Sequence, residues 1–353
     1  MLDDGRIVVT GGAGFIGSAL VWALNRRGVD RILIADHPQS PGQWRNLTGL
    51  HFEDYVDADD LASRVAADIN AFGRIGAVIH LGACSSTTET DLRYLLGNNF
   101  EYSKRMAFWS EAVGTRLVYA SSAATYGGIE GRVSEDVPLH SLRPLNAYGL
   151  SKHLFDLWAL RHGILNRAVG VKYFNVFGPN EAHKGDMRSM VNRAWQQIRD
   201  TGTVRLFRSH RPEYRDGEQL RDFLYVKDAV AMTLHLAATP AAHGIYNLGS
   251  GQAHTWLDLV TAVFAACSRP RHIEFIDMPE SIRGQYQYHT CASIERLRAS
   301  GYTQPVTPLE SAVAEYVRGY LMPGRFLGEE GQALDPNEHS TVDSEVAGIF
   351  QAW

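Results

Sequence analysis

Short apolar runs alternate with amphipathic stretches along the first half of the chain, and that rhythm sets the fold class. Arg6–Thr10, Arg31–Ala35, Ala77–Leu81, Arg116–Ala120 and Val169–Phe174 are brief apolar runs flanked by turn residues, which predicts strands. Between them Phe15–Arg27, Leu61–Ala71, Asn99–Val113 and Leu145–Arg161 carry apolar positions at helical spacing. Strands that alternate with helices imply parallel βαβ units, hence an α/β fold built on a Rossmann-type doubly wound parallel sheet. Beyond about Gly178 the rhythm loosens into loops and short strands, with helices predicted at Thr255–Ala266 and Pro308–Tyr320. Ser209–Leu220 (SHRPEYRDGEQL) is polar and turn-rich, so it is expected to be an exposed loop or hairpin.

Composition changes this picture little. The 353 residues are 45% hydrophobic and 21% charged, as in a soluble globular protein. A net charge of −5 gives no reason to expect nucleic acid. No apolar run reaches the ~20 residues of a membrane span, and the first residues lack a signal-peptide pattern. Cys84, Cys267 and Cys291 are scattered without metal-ligand spacing. They read as reduced thiols, with no metal site and a cytoplasmic setting expected.

Two motifs carry chemistry. Thr10–Gly17 (TGGAGFIG) follows the first strand and opens the first helix. Glycines at 11, 12, 14 and 17 allow a tight turn and close backbone approach to a pyrophosphate, which the helix N-terminus then faces. Asp36 ends the second strand, placed to accept from ribose hydroxyls. The second motif is Tyr148–Lys152 (YGLSK), a phenol and an ammonium on one helix face. A nearby cation favours phenolate, so Lys152 together with an oxidised nicotinamide ring is expected to lower the Tyr148 pKa. Ser122 closes the strand Arg116–Ala120 at the carboxyl edge of the sheet, where open α/β sheets hold ligands.

In combination these residues resemble the extended short-chain dehydrogenase/reductases, which include the nucleotide-sugar epimerases and dehydratases. Further segments are similar to the ADP-glyceromanno-heptose 6-epimerase family: His80–Glu89 (HLGACSSTTE), Ala120–Gly128 (ASSAATYGG), Tyr173–Pro179 (YFNVFGP) and above all His183-Lys184-Gly185. The similarity runs from about Ile7 to about Tyr320. It implies a dinucleotide-binding domain over residues 1–178, to which later segments return, and a smaller C-terminal α/β substrate-binding lobe over 179–323. An acidic tail follows over 324–353. That tail is either disordered or docked through Ile349, Phe350 and Trp353.

The resemblance also implies a reaction: inversion at C6″ of an ADP-linked heptose through a transient ketone, with tightly bound NAD or NADP, in a homo-oligomer. Tyr148 would serve one face of the carbon and Lys184 the other. Lys152 would position the cofactor, and Ser122 would hydrogen-bond the reacting oxygen. Cofactor contacts fall on Gly11, Gly14, Phe15, Ile16, Gly17, Asp36, His37, Leu81, Gly82, Ala83, Cys84, Ser85, Asn98 and Val176, besides Tyr148 and Lys152. The nucleotide-diphosphate sugar would meet Asn175, Asp186, Arg193, Tyr286, Phe207 against the base and Arg221 on the diphosphate. Asp186, Arg193 and Arg208-Ser209-His210 depart from the family pattern. Asp36, with Gln43 and Ala58 where the family carries lysines, favours NAD; Arg45 and His37 are the residues able to reverse that. Read from the residues alone, a 4-epimerase, a dehydratase, a reductase and a non-catalytic dinucleotide-binding regulator stay open.

Overall fold

In the first predicted strand successive residues go to opposite sides. Ile7 and Val9 join one apolar cluster and Val8 the other, as a pleated strand covered on both faces requires. The same alternation holds at Ile32, Leu33 and Ile34, and at Ala77, Val78 and Ile79. The computed structural model describes residues 5–37 and 40–330. Its centre is a seven-stranded sheet of β1 (Arg6–Thr10), β2 (Ile32–Asp36), β3 (Asp54–Asp57), β4 (Ile75–His80), β5 (Arg116–Ser122), β6 (Val169–Tyr173) and β7 (Gly244–Leu248). The order across the sheet is β3-β2-β1-β4-β5-β6-β7, and every neighbouring pair is parallel. The order reverses between β1 and β4, which opens a crevice at their carboxyl ends. Among the described residues no helix is long and apolar enough to cross a membrane.

Several expected elements shift. The helix expected over Leu61–Ala71 runs Ala58–Ala67, because the Asp57 carboxylate caps it by accepting from the Asp59 N–H. The helix expected from Asn99 begins at Leu92 and passes through a π turn at Leu96–Glu101 before continuing as Tyr102–Ala112. The sheet gains β3 and β7. The helix Val226–Ala238 leads back to β7 and packs against the helix Phe15–Asn25. Ser209–Leu220 has exposed stretches but is not free: its Tyr214 ring lies 4.9 Å from Tyr288 and the Arg211 guanidinium 4.5 Å from the same ring. The start of the tail is docked, with Leu327 fully buried and its N–H donating to Asn180 Oδ1 at 3.0 Å. Ile349, Phe350 and Trp353 lie outside the described residues.

Candidate active site

The glycine loop is shaped by contacts that admit no side chain. Gly11 has φ +69°, and a Cβ there would stand 2.7 Å from the Gly82 backbone. At Gly17 a Cβ would stand 2.0 Å from the Gly11 carbonyl oxygen. The helix Phe15–Asn25 begins at Gly14 with no side-chain cap, so its N-terminal donors are left for an anion. Beside it Asp36 accepts from the Ala13 N–H (2.8 Å) and the His37 N–H (2.7 Å). Burial raises the Asp36 pKa and these bonds oppose the shift.

This loop forms one end of a cavity of about 1070 Å³. Every expected cofactor residue lines it: Gly11, Gly14, Phe15, Ile16, Gly17, Asp36, His37, Leu81, Gly82, Ala83, Cys84, Ser85, Asn98, Tyr148, Lys152 and Val176. The wall at Leu81–Ser85 is held from below by a chain of buried polar groups. The Gly82 N–H donates to Thr10 Oγ1, and that hydroxyl lies 2.6 Å from His80 Nδ1. His80 Nε2 lies 2.8 Å from Ser103 Oγ, which donates to the Asn99 carbonyl. The donors fix one tautomer, with Nδ1 accepting and Nε2 donating. Burial pushes the His80 pKa down to about 3, which keeps the ring neutral. Asn99, in the π turn, donates to the Cys84 carbonyl and to Ser151 Oγ and accepts from the Cys84 N–H. It thus joins that wall to the helix Ala147–Arg161, the kind of placement for which π turns are retained. Sequence reasoning missed Asn99; a polar residue on the buried side of a helix was the available signal.

The helix Ala147–Arg161 begins with the Asn146 side chain accepting from the Gly149 N–H at 2.7 Å, which brings Tyr148 and Lys152 into the cavity beside Ser122. Lys152 is 4% exposed, and its ammonium donates to the Ala120 carbonyl at 2.9 Å. Burial pushes its pKa from 10.5 down to about 8, while Asp156 and Cys84 act the other way. The Tyr148 phenol is raised by burial, with a hydrogen bond to Ser122 opposing. The expected lowering calls for an oxidised nicotinamide as well as Lys152; in the protein alone the ammonium is engaged at Ala120, and desolvation dominates at Tyr148. Below them Asp156 accepts from Tyr119 and Ser121 and pairs with buried Lys172 at 3.5 Å.

The Lys152 shift has a pH consequence. On the expectation that the Lys152 ammonium donates to a cofactor ribose hydroxyl, that donor is lost as pH rises through about 8, and dinucleotide affinity of the stripped protein should fall above that pH. Titration of dinucleotide from mildly acidic to alkaline pH checks this, and Lys152→Met should flatten the profile. For stability the sign is opposite. The unfolded chain keeps this proton up to about 10.5, so Lys152's contribution to stability rises with pH across the window from about 8 to 10.5.

Lys184, which also lines the cavity, sits in the short helical turn Ala182–Met187, where Gly185 takes φ +54°. The turn is anchored by Glu181, fully buried, which accepts from the Ser189 N–H and hydroxyl at 2.6 Å each. The Lys184 ammonium lies 5.2 Å from the centre of the Phe15 ring. Burial lowers its pKa and the Glu181 charge acts against that. Asn175, Arg193, Phe207 and Tyr286 also line the cavity, and Gln197, Arg205, Trp256 and Gln287 join them unanticipated. Two expected substrate residues are placed otherwise. Asp186 is exposed and outside the lining, because the Gly185 bend carries it away from the cavity. Arg221 is buried, donating to the Leu220 and Gln287 carbonyls, with its guanidinium near the Trp256 and Tyr286 rings. It supports the wall that those rings form.

Residues 7–249 match the model of the NAD dependent epimerase/dehydratase family. The chain belongs to that family. It is 49% identical over 315 residues to an ADP-L-glycero-D-manno-heptose-6-epimerase of Nitratidesulfovibrio vulgaris, covering 89% of this chain and 97% of that one. Among solved structures it resembles the ADP-L-glycero-D-manno-heptose-6-epimerase of Helicobacter pylori (TM-score 0.75, 26% identity, 90% of this chain and 96% of that one). It also resembles a UDP-glucose 4-epimerase of Thermus thermophilus in complex with NAD (TM-score 0.71, 26% identity, 88% and 97%). The chain is a nicotinamide-dependent nucleotide-sugar epimerase with the fold expected of it.

Proposed function

We propose that this epimerase inverts C6″ of an ADP-linked glycero-manno-heptose. The observation that carries the reading is one cavity lined by Tyr148, Ser122 and Lys184 together, which supplies two acid/base groups for two stereoisomers. The relative from N. vulgaris at 49% identity, named for this reaction, supports the substrate. The glycine cradle, the uncapped helix end and Asp36 fit a dinucleotide, which Lys152 and the Leu81–Ser85 wall would hold. Bound there, an oxidised nicotinamide supplies hydride acceptance and return, together with positive charge. Tyr148 takes the hydroxyl proton at one face of the carbon and Ser122 holds the oxygen. Lys184 exchanges the proton at the other face after the sugar has turned. Ser122 is followed by Ala123 and Ala124, which offer no carboxylate for elimination of water. Incubation with ADP-heptose and with UDP-glucose, followed by NMR of the products, tests the substrate: inversion of the heptose alone is expected, and inversion of UDP-glucose alone overturns it. A cytoplasmic homo-oligomer is part of this reading.

The dinucleotide is NAD in this reading. Asp36, Gln43 and Ala58 line the cavity at the ribose end and Arg45 is not in the lining. His37, which also lines that end, has Nδ1 2.8 Å from Asp57 and Nε2 3.6 Å from Asp59. Carboxylates there repel a 2′-phosphate and leave its 2′-hydroxyl counterpart unopposed. Titrating the stripped protein should give NAD the tighter binding by at least roughly tenfold, about 1.4 kcal/mol. Tighter NADP binding overturns the preference, and Arg45→Ala then shows whether Arg45 is the cause.

A further inference from the structure

Asn46 lies in the short turn Gln43–Leu47 that follows β2, and it is 1% exposed. Its side-chain nitrogen donates in two directions: to the Ala13 carbonyl of the glycine loop at 2.9 Å, and to His183 Nδ1 at 3.1 Å. Ala13 is gripped from the other side as well, by Asp36 at its N–H. His183 directly precedes Lys184 in the turn Ala182–Met187. Burial pushes the His183 pKa down to about 4, so its ring is neutral and Nδ1 is free to accept from the amide. A second contact spans the same gap, the Lys184 ammonium over the Phe15 ring at 5.2 Å. The Asn46 side-chain oxygen is buried with no hydrogen-bond partner among the described residues. A buried acceptor left unpaired opposes folding, so what this side chain supplies is its two donated bonds.

We infer that Asn46 is a positioning residue that ties the glycine loop to the turn carrying Lys184, so that seating of the dinucleotide and placement of the Lys184 ammonium are set together. This rests on Lys184 as the second acid/base group. Asn46 touches neither reacting atom; it acts through Ala13 on one side and His183 on the other.

The test combines a double-mutant cycle with a binding measurement. Asn46→Ala, Lys184→Met and the double variant are assayed as holoproteins, with single-turnover conditions for the slow ones. Asn46→Ala should lower kcat by roughly 10–50-fold with KM within about threefold. In the Lys184→Met background the same change should cost less than about twofold, since its target is gone. NAD titrated into the stripped proteins should bind about five- to tenfold more weakly to Asn46→Ala and also to His183→Ala, because release of either end frees the loop. Where Asn46→Ala fails to fold, as judged by its melting transition, His183→Ala takes its place in the cycle. Additive losses would show that Asn46 only braces the loop and would overturn the inference. NAD affinity unchanged in His183→Ala would overturn it too, by showing that the link does not reach the loop. Inversion by Lys184→Met within about threefold of wild type would remove the reading on which the inference rests; a residual Lys184→Met rate at least roughly 10²-fold down, lowered by Asn46→Ala by the same factor as in wild type, removes the inference alone.

Discussion

Replacing Tyr148 with phenylalanine lowers turnover by roughly 10²–10⁴-fold, the usual worth of a positioned acid/base group. One hydroxyl is lost. In the protein its hydrogen bond is to Ser122, and the ring is packed in place by burial. The melting temperature should therefore stay within about 4 °C of wild type, a change of roughly 1 kcal/mol or less. Burial raises the phenol in the absence of ligands. The positive charge of an oxidised nicotinamide is then the influence that favours phenolate when the proton must leave. Epimerisation by Tyr148→Phe within about threefold of wild type would take Tyr148 out of the mechanism.

Lys184→Met abolishes inversion, with a loss of at least roughly 10²-fold, while affinity for the nucleotide sugar falls only modestly. Methionine keeps an unbranched side chain of similar length and removes the ammonium that lies over the Phe15 ring and whose charge burial already disfavours. Glu181 should still hold the turn through Ser189, since those two bonds do not involve the lysine. A lysine that served the diphosphate instead would give the reverse pattern: affinity would drop sharply, and saturating substrate would restore the rate. Calorimetric affinity measured beside saturated turnover separates the two.

How much of this was legible beforehand follows from where the physics is local. β1, β2, β4, β5 and β6 are buried on both faces, so they read as continuous apolar runs. β3 is an edge strand with only Val56 buried, and Asp54-Tyr55-Val56-Asp57 gives no such run. β7 was hidden for another reason. Its apolar residues are plain, but its partner Val169–Tyr173 lies far back in the chain. The glycine loop and the Tyr148–Lys152 pair are contiguous motifs whose backbone geometry follows from the residues themselves. Asn46 and His183 are 137 residues apart, and nothing in either segment announces the other. Arg221 shows the remaining gap: the resemblance put it on the diphosphate, but the direction of its guanidinium is decided by Trp256, Tyr286 and two carbonyls.

The central claim is inversion by transient oxidation within one cavity, with the carbon-bound hydrogen held and returned. Turnover of ADP-heptose in D₂O, read by NMR and mass spectrometry, tests it most directly. The expected result is inverted C6″ with its original hydrogen and no solvent deuterium on that carbon. Stoichiometric deuterium at the inverted carbon would contradict it and point to enolisation instead.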